Sequence, residues 1–398
     1  MTMEALDEQA PGRREASAGL TFLLAASCGL LAANIYYPQP LAGPIGAALG
    51  LPASATGLVV TLTQLGYGIG LLLVVPLGDL VENRKLIATL TGLAMLALLG
   101  AGLSTQPATF LTAAFLVGLG SVAIQVLVPY AAHLASDALR GRIVGNVMSG
   151  LMLGIMLARP VASLVAEFSS WHMVFFASAA VMAVLAVVIV RGLPKRVPAS
   201  RFGYGTLLAS MAHLLLTERI LQRRAFYHFC LFGAFSLFWT TTPLLLAGPA
   251  FGLSQGGIAL FALAGVAGAI AAPIAGRVAD HGWTKPATAF AMVAAGAAFL
   301  ITHIAPAGSG LALGLLVVAA ILLDFGVSGH IVLAQRAIFM LGAQYRGRLN
   351  GLFMSIFYSG GAVGSAVGGW AYAQGGWPLA SWIGFAFPVV ALICFATE

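Results

Sequence analysis

The chain has 398 residues, of which 60% are hydrophobic and 8% charged, and it carries a formal net charge of +7. An average soluble domain is roughly a quarter charged, so a soluble globule of this length would lack the polar surface to cover itself. A membrane β-barrel is excluded too, because its strands are short and alternating, whereas the apolar runs here are continuous and rich in Leu, Ala, Val and Gly.

At the N-terminus a polar head, Met1 to Ser17, leads straight into the first apolar run, so no cleaved signal is expected and the first helix directs insertion itself. A crossing takes about 20 mostly apolar residues. Spans are predicted at 17–38, 53–77, 86–104, 108–134, 143–165, 172–192, 225–247, 256–278, 285–304, 310–340, 347–371 and 378–396. The fold class is therefore an all-α membrane protein with about twelve transmembrane helices. Every second gap is basic: Arg13 and Arg14, Arg84 and Lys85, Arg140 and Arg142, a cluster from Arg191 to Arg224, Arg277 and Lys285, then Arg346 and Arg348. The intervening gaps hold no Lys or Arg. The positive-inside rule then puts the N-terminus, the long central loop and the C-terminus in the cytoplasm. Basic loops facing anionic lipid account for the net charge, and no nucleic-acid partner is expected. Cys28, Cys230 and Cys394 fall inside spans at neither disulfide nor metal-ligand spacing, so no metal or other cofactor is expected.

The interval 193–224 separates a six-span bundle, 1–192, from a second, 225–398, and reads as a cytoplasmic linker. Within it, Tyr204 to Leu216 is apolar enough for a helix on the inner membrane surface, with a solvated loop as the alternative. The halves also repeat each other. Arg140-Gly141-Arg142, followed by Gly145, Met148 and Ser149, recurs as Arg346-Gly347-Arg348, followed by Gly351, Met354 and Ser355. The same offset carries Trp171 onto Trp377, and several matches at one offset argue for duplication.

Between the eighth and ninth spans, Gly276-Arg277-Val278-Ala279-Asp280 is followed by Lys285; between the second and third, Asp79 is followed by Asn83, Arg84 and Lys85. Both loops resemble the cytoplasmic signature of the major facilitator superfamily, Gly-x-x-x-Asp-Arg-x-Gly-Arg-Arg. The run from Pro243 through Phe251-Gly252-Leu253-Ser254 to Asp280 resembles that family's bacterial drug and sugar efflux permeases. The first loop departs from the signature at Val75, Leu80, Glu82 and Asn83. The family's antiporter pattern in the fifth span survives mainly as Pro160, with Ile155, Arg159, Ser163 and Leu164 at its glycine positions. The resemblance implies a two-bundle transporter of a bacterial inner membrane, sufficient as a monomer and exchanging solute for protons by alternating access. It also implies cytoplasmic gates, in which Asp79 and Asp280 accept from N–H groups at the starts of the eleventh and fifth spans, beside Arg348 and Arg142.

Asp324, near the middle of the tenth span, is the only acidic residue placed deep in the apolar core. An ionised carboxylate there costs roughly 3 kcal/mol or more. A site for a proton, a cation or a cationic substrate is the leading expectation, and a hydrogen-bonded tie between helices is the plainer one. Arg159, in the outer part of the fifth span, precedes Pro160, where a helix breaks locally. Holding an anionic substrate group, pairing with an acid and snorkelling beside Glu167 all stay open. His330 follows Asp324 by six residues and so lies on another part of the helix surface, as a relay or, more commonly, bonded to a backbone carbonyl. Asn34 and Tyr37 in the first span, Gln64 in the second, Gln125 in the fourth, and Phe238 and Trp239 in the seventh offer amides and rings suited to an amphipathic solute. Helix packing is the plain alternative for each.

The expected function is secondary active transport of a small organic solute around a midplane site, coupled to protons through Asp324. Efflux is implied by the resemblance; uptake with protons and uncoupled facilitation stay open. There is no Gly-x-x-x-x-Gly-Lys-Ser/Thr loop for nucleotide and no His-Glu-x-x-His pattern or paired intramembrane Asp, so neither an ATP-driven machine nor an enzyme is expected.

Overall fold

The computed structural model describes residues 18–136, 139–198, 203–342 and 345–398. Arg13, Arg14 and Arg201 of the basic pattern, and the polar head from Met1 to Ser17, lie outside the described residues. The described residues form helices and short 3-10 turns, with no strand among them. That follows from the solvent: in lipid each backbone N–H and C=O must pair within its own segment.

The first half runs through α1 (Ala18–Tyr36), α2 (Pro38–Leu49), α3 (Leu58–Leu73), α4 (Asn83–Leu103), α5 (Pro107–Ser121), α6 (Ala123–Leu134), α7 (Arg140–Phe168) and α8 (Trp171–Gly192). After α9 (Tyr204–Thr217) come α10 (Arg219–Ala247), α11 (Gln255–Ala262), α12 (Gly268–Asp280), α13 (Thr284–Leu300), α14 (Gly310–Phe339) and α15 (Arg346–Phe395). Eleven helical stretches among the described residues are long and apolar enough to cross a membrane. The last, of 50 residues, contains both the eleventh and twelfth predicted spans. Its helical geometry is lost at Gly375 and Gly376, where φ of 62° at Gly376 is a conformation that side chains disfavour.

The first crossing, Ala18–Tyr36, ends within two residues of expectation, the helix breaking at Tyr37 and a second one starting at Pro38, whereas α10 begins at Arg219, six residues before the expected 225. Proline suits a first helical position, where its missing N–H has no bond to make. The new helix continues to Leu49 and stops on a left-handed Gly50. Gln39 is thereby carried into the core, 0% exposed. In the central interval α9 is a helix, not a loop: Leu207, Met211 and Leu214 are buried, Tyr204 Oη donates to Leu73 O at 2.7 Å, and Arg348 donates to Ser210 Oγ.

Small residues set the crossings, because lipid leaves close van der Waals approach as the main attraction between helices. A Cβ on Gly154 of α7 would fall 2.1 Å from Gly29 O of α1, and one on Gly364 of α15 would fall 2.0 Å from Gly233 O of α10. Gly120 presses on Leu90 and Ala94 of α4, and Gly326, at the offset of the sequence repeat, presses on Ala291 of α13. The repeat is thus a repeat of packing as well.

The halves meet at the end away from the basic loops, where α11 packs on α7, α2 on α10, and the turn Ala53–Ala55 on α15. There Glu167 Oε2 accepts from Gly256 N–H at 2.9 Å. Further along, Thr61 and Ser365 hydroxyls lie 2.9 Å apart, Gln64 Nε2 donates to Ser236 Oγ at 3.0 Å, and Ser355 Oγ donates to Gly68 O at 2.9 Å. Toward the basic end, Gly141, Gly145 and Gly276 have nothing within 4 Å of an added Cβ, and Arg142, Asn146 and Ser149 are exposed.

Candidate functional site

The two intramembrane charges come together from opposite halves. Arg159 of α7 is 2% exposed and Asp324 of α14 is 4% exposed. Trp239 Nε1, from α10, donates to Asp324 Oδ1 at 2.8 Å. Arg159 Nε donates to Gln39 Oε1 of α2 at 2.6 Å. The guanidinium carbon lies 4.3 Å from the Trp239 ring centroid, 5.0 Å from Phe235 and 5.2 Å from Tyr36. Cation–π contacts of this kind are worth about 2 kcal/mol when desolvated, and they go some way toward offsetting the burial of the charge. Tyr36 Oη also meets Tyr358 Oη of α15 at 3.3 Å.

Asp324 and Arg159 do not form an ion pair among the described residues. Between them comes Gly265, on the 3-10 stretch Leu263–Ala267 that joins α11 to α12. The position a Cβ would take there is 2.9 Å from Asp324 Oδ2 and 3.3 Å from Arg159 Nη1. The backbone approaches both groups only because residue 265 has no side chain. Arg159 Nη2, Gln39 Nε2 and Ser163 Oγ are among the buried polar atoms that have no hydrogen-bond partner among the described residues.

Of the residues singled out from sequence, Arg159, Trp239 and Asp324 converge. Gln64 ties to Ser236 across the halves, while the others face different neighbours. Asn34 accepts from Ser178 Oγ at 2.6 Å and donates to Met182 Sδ at 3.5 Å. Gln125 donates to Tyr67 Oη at 3.1 Å. Tyr37 lines a hollow of about 170 Å³ with Leu30, Val161 and Val174. Phe238 stacks edge-on against Trp377 at 5.8 Å and Phe299 at 6.0 Å. His330 is bonded not to a carbonyl but to His228, Nδ1 to Nδ1 at 2.8 Å, with ring planes 10° apart. A larger hollow, about 450 Å³, lies at Ile274, Arg277, Val278, His281 and Trp283, at the basic end of α12 and away from both charges. The charges mark the site better, since a surface hollow costs nothing to keep and a buried charge does.

The signature residues are arranged within their own halves. Asp280 pairs with Arg336, and Asp79 is exposed without a hydrogen bond among the described residues. Arg84 and Lys85 reach Glu82 at 3.4 and 3.6 Å, Arg84 Nη1 donates to Val190 O at 3.3 Å, and Arg196 holds Asn83 at 2.6 Å. Lys285 and Arg142 are exposed, and Gly276 has open space beside it. Sequence reasoning missed Gln39, Gly265, Tyr358 and His228. For Gln39 a signal existed, an amide between Pro38 and Pro40; for Gly265 none did, because its neighbours come from other helices.

With this geometry in hand, comparison with known proteins gives a consistent answer. Residues 21–340 match the family model described as Major Facilitator Superfamily. The chain is 38% identical over 91% of its length, and 91% of the relative's, to the uncharacterized transporter YgaY of Escherichia coli O157:H7. It is 30% identical over 92% of its length to a Streptomyces coelicolor protein described as "Probable transporter SCO4007", of which it covers 84%. Among solved structures, a mutant of the nucleoside transporter NupG superposes with a TM-score of 0.76 at 16% identity, over 94% of this chain and 99% of that one.

Proposed function

Starting from a chain that belongs to the Major Facilitator Superfamily and has the fold of its transporters, we propose that it moves a small organic solute by alternating access, coupled to protons through Asp324. The observation that carries this reading is a buried carboxyl in one half facing a buried guanidinium in the other, beside Gly265. Charge that spans the two moving bodies makes their contact depend on protonation, which is what coupling requires. The basic loops support a cytoplasmic placement of the termini in an inner membrane, and the open glycines at that end support a conformation facing inward.

The membrane-depth argument leaves two modes. Efflux in exchange for protons is what the resemblance to drug and sugar permeases implies. Co-transport is favoured by Arg159, because a cation beside Asp324 is freed for a solute when the carboxyl takes up a proton. The test is proton movement in vesicles holding the purified protein under an imposed pH gradient, with a panel of organic solutes and with Asp324→Asn alongside. We expect solute-triggered proton flux that disappears in Asp324→Asn. Equal flux in both would move coupling to another residue, and solute crossing without proton flux would make the protein a facilitator.

A further inference from the structure

We infer that the solute is an organic anion, a carboxylate or similarly shaped oxyanion on an apolar body, seated on the free edge of Arg159 with Gln39 beside it. The inference rests on the transport reading above and gives it a substrate class.

The edges and faces of the Arg159 guanidinium are unequally used. Its faces are occupied by Trp239, Phe235 and Tyr36, and its Nε by Gln39 Oε1. Nη2 has no hydrogen-bond partner, and neither has Nε2 of the same Gln39 amide, although both residues are at least 98% buried. Ser163, one helical turn beyond Arg159 on α7, adds a third unpartnered group at 0% exposure. Buried donors without acceptors are costly, and those on a charged group most of all. The unpartnered Nη2 of a planar guanidinium, with the unpartnered Gln39 Nε2, offers donors for the two oxygens of a carboxylate. A cationic solute would meet Arg159 as a like charge in a medium of low dielectric, and a neutral one would bring no counter-charge to replace Asp324 once that carboxyl is protonated. Trp239, Phe235 and Tyr36 supply the aromatic surface on which an apolar ligand body beside the guanidinium would stack.

Asp324 sets the condition for loading. As a carboxylate it is the counter-charge to Arg159, and an incoming anion would compete with it. Taking a proton from water on Oδ2, with Oδ1 still held by Trp239, removes that competition and keeps the site's charge constant as the anion enters. The titratable groups around Asp324 are Arg159 on α7 and Tyr36 on α1, the latter bonded to Tyr358 of α15; on its own helix His330 is turned to His228 of α10. Anion and proton therefore load together, the co-transport mode.

The experiment uses the purified full-length protein and matched solute sets on common aromatic skeletons: phenylacetate, cinnamate and indole-3-acetate, each with its primary amide and corresponding amine. Thermal shift and binding-linked proton uptake in weakly buffered solution are read together. We expect carboxylates to raise the melting temperature with close to one proton taken up per anion, while amides and amines have no effect. Arg159→Gln should abolish the shift. Gln39→Leu, which keeps the charge, should weaken it about tenfold, and this second variant covers the case in which Arg159→Gln fails to fold. Amines or amides that bind or drive proton flux while carboxylates do not would overturn the anion assignment and leave coupled transport standing. Carboxylate binding that needs Arg159 but takes up no proton would leave the assignment standing and remove coupling through Asp324. A carboxylate shift unchanged in both variants, or no shift with any carboxylate, counts against the inference.

Discussion

At the scale of single residues, the site is held by what surrounds the charges and by one missing side chain. Gly265→Ala puts a carbon 2.9 Å from Asp324 Oδ2 and 3.3 Å from the Trp239 ring, in a place that cannot give without moving a buried carboxylate. We expect transport to fall at least tenfold with protein yield little changed, whereas Gly314→Ala, with nothing within 4 Å, should be neutral or more stable by about 1 kcal/mol. Solute uptake into vesicles, alongside melting curves, checks both. Trp239→Phe removes the only hydrogen bond described for Asp324. Interhelical bonds in membranes are worth about 0.6 kcal/mol on average, so a threefold change in transport is expected, the ring that faces Arg159 being kept as Phe; a hundredfold loss would mean that this hydrogen bond does more than hold Asp324 in place. The buried His228 and His330 show the reverse case, two titratable rings whose nearest partners are each other and aromatic faces, and which we read as a tie between α10 and α14.

Elements are placed by close backbone contact and by helix ends. Where α7 crosses α1, Gly154→Leu would drive a branched side chain into Gly29 O, which lies 2.1 Å from the first added carbon. The crossing has to open, and we expect loss of several degrees in melting temperature or loss of insertion, in contrast to Gly92→Ala, which meets nothing. At the other end of α7, Glu167 caps the first turn of α11 across the two halves. An anion at a helix N-terminus contributes about 0.3 to 1 kcal/mol. Glu167→Gln should therefore raise severalfold the labelling of Thr240→Cys by an impermeant thiol reagent from that side, in a background lacking Cys28, Cys230 and Cys394. Unchanged labelling would make Glu167 an ornament of the closed state and not a support for it.

For the molecule as a whole, closure at one end and space at the other describe a single position in a transport cycle. In this position the signature acids are not docked on the facing helices: Asp280 is held by Arg336, and Asp79 is exposed. We expect Gly145→Cys to label readily from the basic side, and Asp79→Asn with Asp280→Asn to raise that labelling further by destabilising the state in which those acids are docked. No change in the double variant would argue against a gating role. The sequence by itself was enough for the membrane class, the count of crossings, the duplication and the isolated buried charges. Those are properties of apolar length and of charge placed against lipid, and they are local. The first crossing falls within two residues of its expected ends, but that a second helix starts at Pro38 and carries Gln39 inward was not read from the sequence. What only tertiary structure decided is which of the buried polar residues meet. Arg159 and Asp324 are brought together with Gln39, Trp239 and Gly265 from five segments, while Asn34, Gln125 and Phe238, equally suggestive in sequence, are used up in packing. The reason is physical: a span's hydropathy fixes that it crosses, but its rotation about its own axis is fixed by its neighbours, through glycine contacts that no single helix encodes.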